Sequence, residues 1–123
     1  MNRRKIRKKR FSYWKGHLAE ALASLYLMLK GYRILARRYK TRAGEIDIIA
    51  LRGKRLAFVE VKLRSDLEKA LGALTRYQEK RIIASSKYWI RKNCYYKEFN
   101  IAYDYIALVP WKKLSHFKDF YRE

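Results

Sequence analysis

Two short apolar segments that carry charged residues at alternate positions place the tightest constraint on how this chain can fold. Residues 44–50 read Gly-Glu-Ile-Asp-Ile-Ile-Ala, and residues 58–62 read Phe-Val-Glu-Val-Lys. Both segments are rich in β-branched residues, which predicts two strands. The polar residues 52–55 between them include a glycine and predict a hairpin turn.

The charged residues of these two strands are predicted to share a face. Side chains alternate between the faces of a strand, so Glu45 and Asp47 lie on one face of the first strand, and Glu60 and Lys62 lie on one face of the second. If the two faces coincide, three carboxylates and one ammonium meet on a small surface. Such charges beside apolar neighbours are costly unless they are paired or bind a metal.

Carboxylates on adjacent strands favour a magnesium site. Mg²⁺ prefers oxygen ligands and keeps several waters, and it activates water for attack on a phosphate. Asp47 and Glu60 are the expected ligands, with Lys62 as their electrostatic or acid–base partner. Glu45 is either a further ligand or, as we favour, a supporting group. A plain ion pair between Glu60 and Lys62 on an exposed strand is the structural alternative.

The charge of the chain indicates a polyanionic partner. Among 123 residues, 31 are Lys or Arg and 11 are Asp or Glu, which gives a net charge of +20. Nucleic acid is the commonest partner of such a surface, although an anionic membrane or a ribosomal neighbourhood would also suit it. One cysteine, Cys94, rules out an internal disulfide, and with only two histidines the composition argues against a zinc site.

The remaining segments predict a small α/β sandwich. Residues 1–15 form a basic arm, expected to be disordered, and residues 16–123 form one domain. A helix is expected over 16–30 with Leu18, Leu22, Leu25 and Leu29 on its buried side, and Gly31 as its C′ residue. The further expected elements are a strand over 32–39, a helical turn within 67–71, a helix over 75–92, a strand over 98–109 and an edge strand within 111–123.

The apolar run at 18–29 is too short to span a bilayer, and it carries no cleavage site in the position typical of a signal peptide. We therefore expect a cytoplasmic protein without a membrane span.

Four segments in order carry a resemblance to a known family: 16–20, 31–37, 44–50 and 58–64. They resemble the YraN-like family of bacterial proteins, which in turn resembles the PD-(D/E)XK nuclease superfamily near the Holliday-junction resolvases. The resemblance implies a restriction-endonuclease-like core, a small mixed sheet with flanking helices. It also implies that Asp47 and Glu60 bind Mg²⁺ or Mn²⁺, that Lys62 is the catalytic lysine and that Glu20 approaches the metal. A homodimer is possible by analogy with junction-cutting relatives.

Three positions depart from that pattern. Ile46 stands where the superfamily has a proline. Ala102 stands where the family has an arginine, two residues before Asp104. Without that arginine, we expect Asp104 to have a structural role. Gln78 stands where the family tends to have a basic residue. Related nucleases place a glutamine there near the site, so Gln78 could position water or phosphate. The alternative is a capping box in which Gln78 bonds back to Thr75.

Basic residues around the two strands are candidate phosphate contacts, which position nucleic acid without reading its sequence. They are Arg37, Arg38, Lys40, Arg42, Arg52, Lys54, Arg55, Lys80 and Arg81. The leading hypothesis is a metal-dependent endonuclease acting on DNA, with branched or structured DNA as a candidate substrate. The alternative is a nucleic-acid-binding protein that retains the nuclease fold without turnover. A third, weaker hypothesis treats the acidic residues as an ion-pair network in a ribosome- or membrane-associated protein.

Overall fold

A five-stranded mixed sheet organises the structure, a computed structural model that describes the backbone of residues 3–122 and the side chains of residues 16–122. The elements in chain order are α1 (Arg3–Leu29), β1 (Arg33–Lys40), β2 (Glu45–Arg52), β3 (Arg55–Leu63), α2 (Leu67–Gly72), α3 (Arg76–Lys92), a 3₁₀ turn (Cys94–Tyr96), β4 (Asn100–Leu108) and β5 (Ser115–Tyr121). No helix in the described range 3–122 is long and apolar enough to cross a membrane.

The strands lie in the sheet in their sequence order, β1-β2-β3-β4-β5. All neighbours are antiparallel except β3 and β4, which are parallel. Parallel neighbours need a long crossover connection, and α2 and α3 supply it. The predicted α/β class with a small mixed sheet and flanking helices is confirmed, and β5 is the predicted edge strand.

The two long helices cover opposite faces of the sheet. On one face, Ala23 and Leu27 of α1 pack with Ile48 and Val59. On the other face, Ile82 and Trp89 of α3 pack with a second buried cluster around Phe58. The core is thus divided into two layers, as expected for a sheet that carries helices on both sides.

Local signals in the sequence correctly predict where these helices begin or end. The Thr75 side chain accepts a hydrogen bond from the Gln78 amide at 3.2 Å and caps α3. Helix α1 ends in a Schellman motif, in which Tyr32 N donates to Leu27 O at 2.9 Å and Gly31 N donates to Met28 O at 3.0 Å. Gly31 adopts a φ of 91°, as the C′ position requires.

Helix α1 begins earlier than the sequence pattern predicts, at Arg3 instead of Gly16. The backbone of residues 3–15 is helical because Lys and Arg are good helix formers and this segment contains neither glycine nor proline. The side chains of the basic arm lie outside the described residues. The division of the chain at residue 15 stays a prediction.

The predicted buried face of α1 is wrong. The four leucines of the predicted stripe, Leu18, Leu22, Leu25 and Leu29, are between 46 and 79% exposed. The buried face instead carries Ala19, Glu20, Ala23, Ser24 and Leu27. Two alanines let the helix approach the sheet closely, and this rotation brings Glu20 to the arginines of β1, with which it forms ion pairs.

Buried Asp104 of β4 links its two neighbouring strands, because it forms an ion pair with Arg55 of β3 and contacts two residues of β5. Arg55 donates from Nη1 to Asp104 Oδ2 at 2.7 Å and from Nη2 to Oδ1 at 2.8 Å. His116 Nε2 lies 2.9 Å from Oδ2, and the Asp119 amide donates to Oδ1 at 2.9 Å. These contacts support the structural role that the sequence suggests for Asp104.

The hydrogen bonds to Asp104 outweigh its burial. Burial alone would raise the pKa of this carboxyl, but the hydrogen bonds from Arg55 and His116 lower it from its ordinary value of 3.8 to about 2. The ionised form of Asp104 therefore stabilises the fold.

The two leucines Leu27 and Leu25 test the rotation of α1. Leu27→Ala should lower the free energy of unfolding by about 2–5 kcal/mol, because Leu27 is fully buried. Leu25→Ala should change it by only about 0.5 kcal/mol, because Leu25 faces solvent. Urea denaturation of both variants measures the difference. Equal decreases in the free energy of unfolding would contradict this orientation of α1, because they would mean that Leu25 is buried as well.

A second prediction concerns acid stability. Because the folded pKa of Asp104 lies below its ordinary value of 3.8, its stabilising contribution is complete above about pH 4 and is lost as the pH falls towards 2. Asp104→Asn should cost about 3 kcal/mol at neutral pH, since it leaves Arg55 without its buried partner. Urea denaturation should show this cost shrinking between pH 4 and pH 2. The exposed Glu68→Gln is the control, and a cost independent of pH would contradict the assignment.

Candidate functional site

The site begins where β2 and β3 separate. Their ladder ends at the pair Ile48–Val59. One residue further along, Asp47 Oδ2 accepts a hydrogen bond from the Val61 amide at 2.8 Å. A side-chain carboxylate thus satisfies a backbone donor that the parted strand no longer pairs. This holds Asp47 at the open end of the sheet.

The predicted charged residues of both strands converge in one pocket of about 240 Å³. Glu45, Asp47, Glu60 and Lys62 line it from the sheet, and α3 closes it with Gln78, Arg81 and Ile82. The four charged side chains meet at the end where β2 and β3 separate, and three of them, Glu45, Asp47 and Lys62, also line a second pocket beside α1. We call the first of these pockets the acidic pocket.

Burial dominates the electrostatics of the acidic pocket. It raises the pKa of Asp47 to about 8, and the neighbouring Glu60 carboxylate adds to the effect. Burial raises the pKa of Glu60 as well, against the opposing effect of Lys62, whose Nζ lies 3.1 Å from Glu60 Oε1. A cation bound between the carboxylates would favour their ionised forms.

Gln78 lines the same pocket and carries a buried side-chain oxygen without a partner. Its Oε1 is buried and accepts no hydrogen bond from the residues that the structure describes. The capping box is therefore only half formed, since Thr75 accepts from the Gln78 amide while the Gln78 side chain does not bond back. Buried polar atoms in native proteins normally have a partner, and no protein group in the described part of the chain supplies one for this oxygen.

The donor set fits a magnesium or manganese ion. Two partly buried carboxylates, those of Asp47 and Glu60, offer hard oxygen ligands, and Mg²⁺ commonly takes one or two carboxylates and completes its shell with water. Within residues 16–122, no group of three or more Asp, Glu, His or Cys side chains is arranged to hold a metal. An ion here would thus depend on Asp47, Glu60 and water.

Glu20 reaches the site from the other face of the sheet. It lines a second pocket of about 250 Å³ together with Asp47, Lys62, Arg38 and Lys40. Its carboxylate pairs with Arg37 Nε at 3.3 Å and with Arg38 Nε at 2.8 Å, and Arg38 also contacts His17. In this geometry Glu20 holds two arginines, and its expected role as a metal ligand stays a prediction.

Some of the predicted phosphate contacts surround the acidic pocket. Arg81 lines its α3 side, and Arg38 and Lys40 line the adjoining pocket of Glu20. Arg42 lies on the β1–β2 turn, and Lys80 is exposed on α3.

The three predicted contacts at the β2–β3 turn do not flank the acidic pocket. Arg52, Lys54 and Arg55 lie at the other end of these strands, about 20 Å away by strand rise. Arg55 is engaged with buried Asp104, Arg52 donates to Lys30 O at 3.2 Å, and Lys54 lies 4.3 Å from the Phe99 ring centre. These three residues are close in sequence to the acidic residues, but the turn that carries them lies at the opposite end of the hairpin from the acidic pocket.

Gly44 has a structural role that sequence reasoning did not identify. Arg81 Nε donates to Ala43 O at 2.9 Å, which ties the β1–β2 turn to α3. Gly44 has a φ of 152°, and a Cβ there would lie 2.9 Å from Arg81 Nε. The glycine therefore makes room for Arg81 at the wall of the acidic pocket. The only signal in the sequence is the glycine itself.

The fold and the acidic pocket are those of a small α/β protein with a restriction-endonuclease-like core. The chain belongs to the uncharacterised protein family UPF0102, whose model matches residues 19–108. This confirms the resemblance to the YraN-like family, while the link to PD-(D/E)XK nucleases stays an expectation.

Relatives in several bacteria match along most of their length. A UPF0102 protein of Rhizobium meliloti is 49% identical over 105 residues, which cover 85% of this chain and 86% of the relative. One of Bartonella bacilliformis is 41% identical over 113 residues, covering 92% and 93%. One of Brucella canis is 42% identical over 114 residues, covering 93% and 90%.

Substitution of Gly44 tests the seating of Arg81. Gly44→Ala should lower the free energy of unfolding by about 1–3 kcal/mol, because the new side chain strains the backbone and displaces Arg81. Gly53→Ala is the matched control, since Gly53 has a φ of 59° but no atom near its Cβ position; it should cost about 1 kcal/mol.

A double-mutant cycle separates the two effects of Gly44→Ala. Part of its cost should disappear in an Arg81→Ala background, where the 2.9 Å contact with Nε is absent and the backbone strain and the milder 3.3 Å contact with the Cβ of residue 81 are left. Additive costs in chemical denaturation would show that Gly44 does not act through Arg81.

Proposed function

We propose that this protein is a divalent-metal-dependent nuclease that hydrolyses phosphodiester bonds in DNA. The observation that carries the proposal is the convergence of Asp47, Glu60 and Lys62 in one pocket of a chain with a net charge of +20. Partly buried carboxylates with raised pKa values beside a lysine are typical of a site that binds a cation and a charged substrate.

Asp47 and Glu60 would hold Mg²⁺ or Mn²⁺. When bound, such an ion neutralises phosphate charge and lowers the pKa of water, which supplies a nucleophile at neutral pH. The Val61 amide fixes the Asp47 carboxylate, so that this ligand is oriented before any ion arrives.

Lys62 is placed to stabilise the charge that develops on the phosphate. The Nζ atom of Lys62 lies 3.1 Å from Oε1 of Glu60, which holds the ammonium group within the acidic pocket, and the Lys62 side chain is 20% exposed. A fixed positive charge in a partly buried site is worth more than the same charge in water. Gln78 lines the same pocket, and we propose that a rotation of its side chain would let the amide orient water or a phosphate oxygen.

Basic residues on both sides of the acidic pocket can bind the phosphates that flank the scissile bond. Arg81 stands on the α3 side, and Lys40 and Arg38 stand beside Glu20. This arrangement supports nucleic acid as the substrate, with affinity that falls as salt rises. Branched or structured DNA, a homodimer and a cytoplasmic location stay predictions.

A non-catalytic nucleic-acid-binding protein is the second candidate. The observation in its favour is that Glu20 is paired with Arg37 and Arg38 and that Glu60 is paired with Lys62. A site whose carboxylates serve only to position arginine and lysine side chains would bind phosphates without cleaving them.

Cleavage of labelled DNA tests the choice. In Mg²⁺ or Mn²⁺ the wild-type protein should cut a four-way junction or a linear duplex, and Glu60→Gln should cut at least about 100-fold more slowly, because one metal ligand is lost. The exposed Glu68→Gln is the matched control and should cut normally. EDTA should stop cutting by the wild type.

Binding measured in parallel separates the candidates. Cleavage lost in Glu60→Gln with binding retained would establish the nuclease. Equal binding by both proteins, with cleavage by neither, would favour the non-catalytic protein.

A further inference from the structure

A cleft next to the acidic pocket is not used by the proposed chemistry. It lies between the β1–β2 turn and α3, has a volume of about 490 Å³, and is lined by Tyr39, Lys40, Thr41, Arg42, Tyr88 and Lys92. We call it the tyrosine cleft. Its volume lies in the range typical of small-molecule sites.

The lining of the tyrosine cleft combines aromatic rings with positive charge. Two tyrosines stand among three cations, and the described residues that line the cleft include no carboxylate. Tyr88 is 36% exposed, and the Arg91 guanidinium lies 5.3 Å from the centre of its ring. Phosphate alone would need only the cations, whereas aromatic rings beside cations are typical of sites that stack a base and pair its phosphate.

The tyrosine cleft is preformed. Thr41 Oγ1 lies 3.0 Å from Oγ of the buried Ser85, and Arg81 donates to Ala43 O at 2.9 Å. These two contacts fasten the β1–β2 turn to α3 on both sides of residue 42. The walls of the cleft are therefore held in place without a ligand, which lowers the entropic cost of binding.

Lys40 connects the tyrosine cleft with the proposed catalytic centre. It lines the cleft, and it also lines the pocket that contains Asp47, Lys62 and Glu20. A nucleic-acid strand whose phosphate lies at Asp47 can pass over Lys40 and enter the cleft with the next nucleotides.

We propose that the tyrosine cleft binds an unpaired nucleotide of the substrate, with its base against Tyr88 and its phosphates on Lys40, Arg42 and Lys92. Within a duplex both faces of a base are covered by its stacked neighbours, so only an unpaired base can present a face to the ring. The inference rests on the proposed function and narrows its substrate to nucleic acid with a single-stranded segment beside the scissile bond.

The test uses the full chain in EDTA, so that binding is measured without cleavage. The probes are a single-stranded oligonucleotide with one 2-aminopurine, whose fluorescence falls when it stacks on an aromatic ring, and the same sequence as a duplex. Tyr88→Ala should weaken single-strand binding roughly 5- to 100-fold and abolish the quenching, while duplex binding changes less than about twofold. Tyr88→Phe keeps the ring and should restore both signals.

Two further readouts distinguish stacking from a general loss of structure. Tyr95→Ala removes another exposed tyrosine, away from the cleft, and should leave both affinities unchanged. The salt dependence of single-strand binding should stay the same in Tyr88→Ala, because the variant removes no charge.

The failure of this inference is distinguishable from the failure of the proposed function. Tight duplex binding together with no effect of Tyr88→Ala, or with equal losses for duplex and single strand, would overturn the tyrosine cleft alone. No binding of either probe by the wild type would overturn the nucleic-acid function, and this inference with it.

Discussion

The hydrogen bond from the Val61 amide to Asp47 is the contact on which the site depends. Strands β2 and β3 pair as a regular hairpin up to Ile48 and Val59 and then separate. A separated strand inside a packed protein would leave backbone donors unpaired, and the Asp47 carboxylate satisfies one of them at 2.8 Å. The same bond holds an acidic group at the edge of the core, where burial raises its pKa to about 8.

The distribution of charge follows from that placement. Only 11 acidic residues oppose 31 basic ones, yet Glu20, Glu45, Asp47 and Glu60 line two adjoining pockets. Cations lie beside these acids, with Lys62 within the acidic pocket and arginines on both faces of the sheet. Carboxylates concentrated within a basic surface can hold a metal ion while the surrounding cations attract a polyanion, and this division of roles is the physical basis of the proposed nuclease.

Sequence patterns predicted the features that depend on neighbouring residues. Strand alternation placed Asp47, Glu60 and Lys62 on one face, and capping signals marked Gly31 and Thr75 at the ends of helices. The patterns failed where a distant partner decides. The leucines of α1 form a regular apolar stripe, but the small residues around Ala23 meet the sheet instead. Likewise, no local pattern reveals that Arg55 pairs with buried Asp104, 49 residues away in the chain.

The sequence by itself determined the strands, their hairpin, the shared face of the charged residues and the excess of positive charge, because alternation and composition are properties of the local chain. Only the tertiary structure decided which side of α1 is buried, that Glu20 meets arginines and that Gln78 of α3 lines the acidic pocket. Those outcomes depend on how closely a helix can approach a sheet and on which charges then meet, and these depend on the packing of the whole chain.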